Sequence, residues 1–549
     1  MRLRQLGTEC GRVALEPLPA SVAERTVRDL LERNVRQNPD RVALIAHAED
    51  EGERQLTYRR LDEESGLIAG ALADRGVIKG DRVGILVDNW AAADAFTTYF
   101  ASHRIGAINV PLNSRYVPRE LEYVMNFSGV KAVVFSSRYA DLLRALEGKI
   151  PTKAFLETTE SAVYGESLYS ACRAASAPAP EQLSEYDDAD YIFTSGTTAN
   201  PKCAGLTHAN SVACAYQSQA LWNAEATTVF QNSAPFYTST ACHTNLLGVL
   251  AAGCTYVVDP EFDAHDLVKR AERHHTTCTY IVSGLLQLIM QRVDLDQFDL
   301  SSLKRIVYGA QPASRQFHER VLEEMEVKRA IEMVHVWGLT EGGTAGTFLR
   351  PEEHKYGVGR IGENGLSIGR AGFNEWVKIQ LLDDADRECR PGESGEICLR
   401  SPSVMDRYVN DPEATASAIR GGWLHTGDLA VADEEGFLYF VDRKKHMIRR
   451  GGMNISSAEV ESVLIEYPAV EEVAVVPTAN PILGEEVRAV IVLKPGMEAS
   501  AEDIRAYAAQ FLADYKVPKE VVFMDRLPRN AMGRVIKGIL KGEGSGIEG

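Results

Sequence analysis

The chain has 549 residues, of which 45% are apolar and 25% are charged, proportions typical of a globular protein that buries a large core. This composition excludes a disordered chain, a collagen-like repeat and a disulfide-stapled miniprotein. A formal charge of −18 argues against nucleic acid as a partner, because an acidic surface repels phosphate backbones. At about 100–200 residues per domain, the length predicts a large body plus at least one smaller module.

The sequence has no run of about 18 apolar residues, and its N-terminal stretch contains no continuous apolar segment. We therefore predict no integral membrane association and a cytoplasmic location. Nine cysteines are scattered without a C-x-x-C pair, which favours reduced thiols over a zinc site. A homo-oligomer remains open.

Short apolar strand-like runs alternate with amphipathic helical stretches in the first part of the chain. Residues 82–87 follow a helical stretch at 58–75, and residues 132–135 follow another at 118–127. Such alternation predicts an α/β fold, in which parallel-rich sheets are covered by helices. The stretch 173–190 is rich in Ala, Pro and acidic residues, so we expect a surface connection there.

The pattern changes in the last third of the chain. From Glu375 to Leu399, paired short strands separated by turn residues predict a small β-rich subdomain. A last unit combines helices at 457–467 and 501–514 with strands at 473–476 and 488–493. The sequence therefore predicts a large N-terminal domain over residues 1–441 and a small α+β C-terminal domain over residues 442–549.

The strongest local signal is Y-I-F-T-S-G-T-T-A-N-P-K at residues 191–202. It is a strand that enters a loop of small and hydroxyl-bearing residues and closes on Lys202. Small residues let backbone N–H groups approach a polyphosphate, and a lysine supplies a compact positive charge. The pattern favours an anion-binding loop, although it is not a Walker loop and a plain surface turn has a similar composition.

Other positions offer groups suited to a nucleotide. Thr340 and Glu341 supply oxygen atoms of the kind that Mg²⁺ prefers. Trp337 offers a flat face for adenine. Asp428, in a glycine-flanked turn, can accept hydrogen bonds from ribose hydroxyls, and Arg443 can donate to the same ribose. Taken singly, these residues also fit ordinary roles: a solvated glutamate, a core tryptophan, a turn aspartate and a surface arginine.

These motifs together resemble those of the acyl-adenylate-forming superfamily, which includes acyl-CoA synthetases, peptide-synthetase adenylation domains and luciferases. The match runs in the family's order from 191–202 through V-W-G-L-T-E at 336–341 and G-G-W-L-H-T-G-D at 421–428. It continues with D-R-K-K at 442–445 and L-P-R-N-A-M-G at 527–533. Five ordered motifs over most of the chain are too many for coincidence.

The resemblance implies an ATP-dependent carboxylic acid–CoA ligase. In this family, an acid and ATP give acyl-AMP and pyrophosphate, and CoA then gives acyl-CoA and AMP. The expected requirements are ATP, Mg²⁺ and coenzyme A, with Glu341 at the metal. A mobile C-terminal domain pivots near Lys445 between the two half-reactions. The expected partners are CoA and a small-molecule carboxylic acid, which we interpret as a medium-chain, alicyclic or aromatic monocarboxylate.

The resemblance also assigns residues to the site. Catalysis is expected from Thr340, Glu341, Lys202 and Arg534. Nucleotide and CoA binding are expected at Thr194, Ser195, Gly196, Thr197, Thr198, Lys202, Gly309, Ala310, Gln311, Trp337, Gly338, Thr340, Asp428, Arg443, Lys445, Gly451 and Gly452. The acid is expected against Tyr237, Thr238, Ser283, Gly309, Gly338 and Gly342.

The sequence departs from the family pattern at several places. Ala199 and Cys203 replace glycines of the phosphate loop, and Arg534 stands where the family has its catalytic lysine. Arginine keeps the charge, but its planar fork does not reproduce a point ammonium. Lys537 is a nearby alternative source of charge. Two alternatives therefore stay open: an enzyme that loads a separate carrier protein, and an adenylation-impaired pseudoenzyme that binds ATP or acyl-CoA.

Overall fold

The computed structural model describes residues 16–194, 201–310, 315–344, 346–355, 361–362, 365–371, 375–529 and 535–541. The helices in these ranges are α1 (Val27–Gln37), α2 (Tyr58–Asp74), α3 (Ala92–Arg104), α4 (Pro118–Ser128), α5 (Ala140–Ala145), α6 (Leu168–Ala174), α7 (His208–Trp222), α8 (Leu246–Ala252), α9 (Ala264–Arg273), α10 (Ser283–Arg292), α11 (Arg315–Val321), α12 (Pro351–Lys355), α13 (Pro412–Ala418), α14 (Ser457–Leu464), α15 (Ala501–Ala508) and α16 (Lys537–Leu540). Two π-helical turns lie at Thr240–Asn245 and Leu322–Val327.

The strands in the described ranges belong to two large sheets and several smaller ones. In the first part of the chain they are β1 (Val42–Ala48), β2 (Gly52–Thr57), β3 (Arg82–Leu86), β4 (Ile108–Pro111), β5 (Val130–Phe135), β6 (Ala154–Glu157), β7 (Glu166–Ser167), β8 (Asp188–Thr194), β9 (Lys202–Thr207), β10 (Val229–Asn232), β11 (Thr255–Val258), β12 (Cys278–Val282), β13 (Arg305–Gly309), β14 (Glu332–Gly338) and β15 (Gly346–Leu349). The rest are β16 (Ile361–Gly362), β17 (Gly365–Leu366), β18 (Arg370–Ala371), β19 (Lys378–Leu382), β20 (Ser394–Arg400), β21 (Arg407–Tyr408), β22 (Ile419–Arg420), β23 (Trp423–Ala432), β24 (Leu438–Arg443), β25 (Ile448–Arg450), β26 (Met453–Ile455), β27 (Val470–Asn480), β28 (Gly484–Leu493) and β29 (Glu520–Phe523).

Two parallel-rich sheets form the body of the large domain. The first has the strand order β18-β15-β14-β13-β12-β10-β11-β1-β2, and the second has the order β21-β9-β8-β4-β3-β5-β6-β7. Strands β10 to β14 pair in parallel with one another, as do β3 to β8, whereas β2, β9, β15, β18 and β21 pair antiparallel with their neighbours. Because parallel strands end at one edge, the residues after β12, β13 and β14 are brought together.

The largest hydrophobic core lies between these sheets and is filled by helices that carry apolar side chains on most of their surface. In α7, Val212, Leu221 and Trp222 are buried, and the Trp222 ring stacks on Phe230 of β10 with centroids 4.2 Å apart. A helix that is apolar on most sides is typical of a buried element. Residues of both sheets, such as Ile85 and Val307, belong to this one core, which therefore packs the two sheets together.

The smaller C-terminal domain has its own sheet and its own core. Its strand order is β26-β25-β28-β27, with β29 beside β28. Ile448, Val460, Val475 and Ile504 meet in a separate buried cluster, to which the two strands of the β27–β28 hairpin and helices α14 and α15 contribute. The predicted α/β fold, with a large N-terminal domain and a smaller C-terminal domain, is confirmed.

Some predicted elements have different bounds. The helix expected at 457–467 ends at Leu464, and Tyr467, the residue before Pro468, lies outside it, as expected for a residue that precedes a proline. The connection expected at 173–190 ends at Asp187, since residues 188–190 begin β8 and Asp190 is buried. Hydroxyls of Tyr99 and Ser211 bind the Asp190 carboxylate at 3.0 and 3.2 Å, so a carboxylate can occupy a core strand. In the described ranges, no helix has the length and apolar character needed to cross a bilayer.

Candidate active site

The ends of β12, β13 and β14 form one wall of the site. Ser283, which begins α10, is buried and donates to the Gly309 carbonyl at 3.2 Å. Gly309 has φ +154°, and a Cβ there would lie 2.1 Å from the Val336 carbonyl oxygen of β14. Only glycine permits this approach. The next residue, Ala310, has φ +64°, a left-handed conformation that residues other than glycine seldom adopt.

Asp428 binds side chains from two other elements. The indole Nε1 of Trp337 donates to its Oδ2 at 3.1 Å, and Nε of Arg443 lies 3.1 Å from its Oδ1. Asp428 and Arg443 are paired across the antiparallel strands β23 and β24, which explains why residues fifteen positions apart meet. Three residues that were predicted to bind the nucleotide are therefore brought together.

A cavity of about 310 Å³ opens beside Asp428. Its walls combine the turn that carries Asp428 with the start of the segment that leads to the C-terminal domain, and they place two lysines near the predicted ribose site. The lining residues are Thr426, Gly427, Asp428, Arg443, Lys444 and Lys445. The structure thus places the predicted hinge residue Lys445 at the same cavity as Asp428.

Glu396 supports this cavity and was not found in the sequence. Its Oε1 accepts from the Gly427 N–H at 2.9 Å, and its Oε2 lies 3.4 Å from Nζ of Lys444. Burial by itself would raise the pKa of Glu396, but the hydrogen bond from His425, the Gly427 amide and the Lys444 charge lower that pKa to about 2. The carboxylate therefore joins the turn that carries Asp428 to the segment that contains Lys444. A carboxylate inside an apolar strand, as in G-E-I-C-L, is the signal that could have identified it.

The turn after β14 carries Thr340 and Glu341. The Tyr408 hydroxyl donates to Oε1 of Glu341 at 2.8 Å, and the Ser239 and Thr340 hydroxyls are 2.9 Å apart. Nζ of Lys202 lies over the Tyr408 ring, 4.7 Å from its centroid. Burial, followed by the Glu341 charge, raises the pKa of Tyr408. The structure thus brings together Lys202, Thr340 and Glu341 through Tyr408 and Ser239, which the sequence did not single out.

The residues expected to contact the acid are distributed unevenly. Tyr237 is buried, which raises the pKa of its phenol. The Thr238 hydroxyl donates to the Pro235 carbonyl at 2.8 Å and accepts from the Ala241 N–H at 3.3 Å, so it caps its own turn. Gly342 is buried, whereas Gly338 is exposed. Ser239, and not Thr238, therefore places its hydroxyl in contact with the turn that carries Thr340.

Several predicted residues lie outside the described ranges. The antiparallel pairing of Thr194 with Lys202 shows that the two ends of the predicted anion-binding loop are adjacent. The Thr194 hydroxyl lies 3.5 Å from the Lys202 carbonyl. The predicted residues outside the described ranges are Ser195, Gly196, Thr197, Thr198, Gln311 and Arg534.

In the C-terminal domain, Gly451 and Gly452 form the two-residue turn between β25 and β26, with φ +57° and +81°. Two consecutive positive φ values match the hairpin turn that favours glycine. Lys537, the alternative cation near position 534, has its Nζ 2.6 Å from Oε1 of Glu461 and 2.8 Å from the Ser457 hydroxyl. In this arrangement Lys537 is bound within its own domain.

The donor set fits Mg²⁺ held jointly with a nucleotide. Among the described residues, no group of three or more His, Cys, Asp or Glu side chains is arranged to hold a metal. Mg²⁺ commonly takes one or two carboxylates and completes its shell with substrate phosphates and water. Glu341, whose side chain lies near Lys202 through Tyr408, is suited to that role. The site therefore fits a metal that arrives with ATP.

Comparisons with known proteins place this geometry in a family. A sequence model of the AMP-binding enzyme family matches residues 31–409, and that of the AMP-binding enzyme C-terminal domain matches residues 459–534. The chain is 32% identical over 531 residues to a 7a-methyl-1,5-dioxo-octahydro-1H-inden-4-yl propanoyl:CoA ligase of Mycobacterium tuberculosis, an alignment that covers 93% of this chain and 98% of that protein. It is also 32% identical over 521 residues to a feruloyl-CoA synthase of Amycolatopsis, covering 92% of this chain and 96% of that protein.

A solved structure agrees with these matches. The o-succinylbenzoate-CoA synthetase MenE of Bacillus subtilis, in complex with an acyl-adenylate intermediate, superimposes with a TM-score of 0.81 at 28% identity, covering 93% of this chain and 97% of that chain. The fold and the strand-end site thus define an adenylate-forming enzyme. The chain belongs to the acyl-adenylate-forming superfamily of AMP-binding enzymes and, within it, to the AMP-forming acyl-CoA synthetases.

Proposed function

We propose that this enzyme activates a monocarboxylic acid as its acyl-adenylate and transfers the acyl group to coenzyme A. The observation that carries the proposal is the position of the Asp428 carboxylate, which Trp337 and Arg443 hold at the cavity that Lys445 also lines. A buried carboxylate with two fixed donors is a preorganised acceptor for the ribose hydroxyls of ATP.

In the first half-reaction, a carboxylate oxygen of the acid attacks the α-phosphorus of ATP. The bond from that phosphorus to the bridging oxygen breaks, and pyrophosphate leaves with the electron pair. This step needs no covalent enzyme nucleophile, so catalysis rests on positioning and charge neutralisation. We assign Lys202 to the phosphates of ATP. Thr340 and Glu341 lie on the turn that we place next to these phosphates, and Arg534 takes the place of the family's catalytic lysine. Mg²⁺ held at Glu341 would supply further charge neutralisation to the triphosphate.

In the second half-reaction, the CoA thiolate attacks the acyl carbonyl of the mixed anhydride, and AMP leaves. We infer that the C-terminal domain turns about Lys445 between the two steps, so that one cleft serves both reactions. The Gly451–Gly452 turn leaves a narrow backbone along which the pantetheine arm of CoA can pass. Arg449 and Arg450 precede this turn, and we assign them to the CoA phosphates.

We infer that the acid is a medium-chain, alicyclic or aromatic monocarboxylate. Two observations support this class. Tyr237 places a buried ring in the segment that also carries Ser239, whose hydroxyl contacts Thr340. The named relatives include enzymes for a bicyclic propanoic acid and for ferulic acid.

The test is a panel of linear, alicyclic and aromatic acids assayed with Mg·ATP. Pyrophosphate release that depends on the acid, followed by AMP formation that depends on CoA, is the expected result. Acid-dependent pyrophosphate release with AMP formation that ignores CoA would favour loading of a separate carrier protein. Absence of pyrophosphate release with every acid would refute the proposal and favour a nucleotide-binding pseudoenzyme, a reading that the arginine at position 534 motivates.

A further inference from the structure

A short segment joins the catalytic turn on the first large sheet to the phosphate-loop strand on the second. At one end, the Ser403 hydroxyl donates to the Gly342 carbonyl at 2.8 Å, and the Met405 N–H donates to the Glu341 carbonyl at 2.9 Å. At the other end, the Val409 N–H donates to the Cys203 carbonyl at 2.8 Å. We call residues 403–409 the bridging segment, because it fixes the two halves of the site relative to each other.

Tyr408, in this bridging segment, contacts one catalytic side chain from each half. Its backbone pairs with Ala204 in the ladder between β21 and β9, which fixes the position of its Cα. Its hydroxyl donates to Oε1 of Glu341 at 2.8 Å, and its ring face lies 4.7 Å from Nζ of Lys202. The side chain is buried, with 8% of its surface exposed. Tyr408 therefore stands between a carboxylate and an ammonium.

Opposite charges that contact the same side chain would attract each other in the absence of ligand. Among the described residues, however, no ion pair joins Lys202 to Glu341, and the aromatic ring and hydroxyl of Tyr408 satisfy the two groups separately. A direct pair would draw the lysine away from the phosphates and the carboxylate away from the metal. ATP would then have to break that pair before binding, at a cost in affinity.

We propose that Tyr408 is a positioning residue that keeps Lys202 and Glu341 apart and ready for Mg·ATP. The phenol hydroxyl presents the Glu341 carboxylate in one orientation, and the ring face holds the Lys202 ammonium through a cation–π contact. This inference rests on the proposed function, since it takes Lys202 to be the phosphate ligand and Glu341 the metal ligand. It adds a residue that makes no direct contact with the reacting atoms in that scheme.

The test compares two substitutions that remove different parts of the tyrosine. Tyr408→Phe keeps the ring over Lys202 and removes only the hydrogen bond to Glu341, whereas Tyr408→Leu removes both interactions. ATP binding is measured by titration calorimetry on the full chain, with and without Mg²⁺. Tyr439→Phe is the matched control, because its hydroxyl bonds Asp433 at 3.2 Å in a different part of the large domain.

The two variants should separate the two interactions. Mg²⁺ increases ATP affinity by some factor in the wild-type protein, and in Tyr408→Phe this factor should be smaller by roughly threefold or more. The reason is that a hydrogen bond contributes about 0.5–1.5 kcal/mol. Its affinity for ATP without Mg²⁺ should stay within about twofold of wild type. Tyr408→Leu should in addition lose about tenfold in affinity for metal-free ATP, because the freed lysine pairs with Glu341. Phenylalanine would thus rescue the metal-free affinity that leucine loses.

Equal affinities in the wild-type protein and both variants would overturn the proposal. So would equal losses in both variants with and without Mg²⁺, which would indicate a general packing role. Because binding is measured without turnover, these results do not depend on acid activation. If the wild-type protein binds Mg·ATP but releases no pyrophosphate, the proposed reaction fails while the assignment of Tyr408 is still decided by the titrations.

Discussion

A buried histidine cluster below the Gly309 loop should make the large domain sensitive to acid. The Tyr308 hydroxyl, one residue before that loop, lies 3.2 Å from Nδ1 of His318 and 3.2 Å from Nε2 of His354. Burial, with a smaller effect of His354, lowers the pKa of His318 to about 3. Burial also lowers the pKa of His354 to about 4. Both imidazoles are therefore neutral in the folded protein at neutral pH.

The sign of the effect follows from where each state binds protons. An unfolded histidine has a pKa of about 6.5, so between that value and the folded pKa only the unfolded chain takes up the proton. Stability is thus full above pH 6.5 and falls as the pH decreases toward 4. With the pKa values above, each of His318 and His354 should lower the free energy of unfolding by about 2 kcal/mol between pH 7.5 and pH 5.

The prediction is checked by urea unfolding of the wild-type protein and His354→Gln at pH 7.5 and pH 5. Tryptophan fluorescence reports on the large domain alone, because all five tryptophans precede residue 442. The substitution should reduce the loss of stability between the two pH values by about 2 kcal/mol, whatever it costs at pH 7.5. His265→Gln, at an exposed position, is the control. The same pH dependence in wild type and His354→Gln would refute the reasoning.

Three further predictions concern the site. Asp428→Asn should raise the KM for ATP roughly tenfold to a hundredfold, since hydrogen bonds to charged groups contribute about 1.5–3 kcal/mol; an unchanged KM would mean that this side chain does not hold the ribose. Arg534→Lys should increase the rate of acid-dependent pyrophosphate release if a point ammonium is the better charge there, and an equal or lower rate would show that arginine suffices. Lys537→Gln should speed hydrogen exchange in α14, because it leaves the largely buried Glu461 without its cation and so lowers the stability of the helix by about 1–3 kcal/mol. Lys541→Gln is the control. Slower adenylation with unchanged exchange would instead make Lys537 a catalytic group.

Structural features that depend on nearby residues could be predicted from the sequence. The alternation of apolar runs and amphipathic stretches follows from the α/β layers, and the strand expected before the anion-binding loop is present as β8. Asp428 and Arg443 were identified from motif order, and the antiparallel register of β23 and β24 now gives the reason for their spacing. These signals lie within a few residues or one hairpin, where sequence and structure are closely coupled.

Long-range partners were not readable in the same way. Tyr408 contacts Glu341, which lies 67 positions away in the sequence, and no sequence pattern near either residue predicts this contact. Ser239 forms a hydrogen bond with Thr340, 101 positions away. Its neighbour Thr238, which was expected to contact the acid, bonds within its own turn instead. Such pairs depend on how two sheets are placed, which hydrophobic packing decides over the whole large domain.

The position of the hinge relative to the β23–β24 ladder bears on how the enzyme could retain its intermediate. The ladder's last pair is Asp428 with Arg443, and the chain then enters the short helical turn Lys444–His446. Rotation about Lys445 would therefore begin just beyond the strand pair that holds the proposed ribose contact. Asp442, one residue before Arg443, accepts from the Ser457 N–H at 2.6 Å, so this contact with α14 would break if the domain turned about Lys445 as proposed. We expect the contacts of Asp428 with Trp337 and Arg443 to persist through that motion, which would keep the acyl-adenylate bound while the thiol enters.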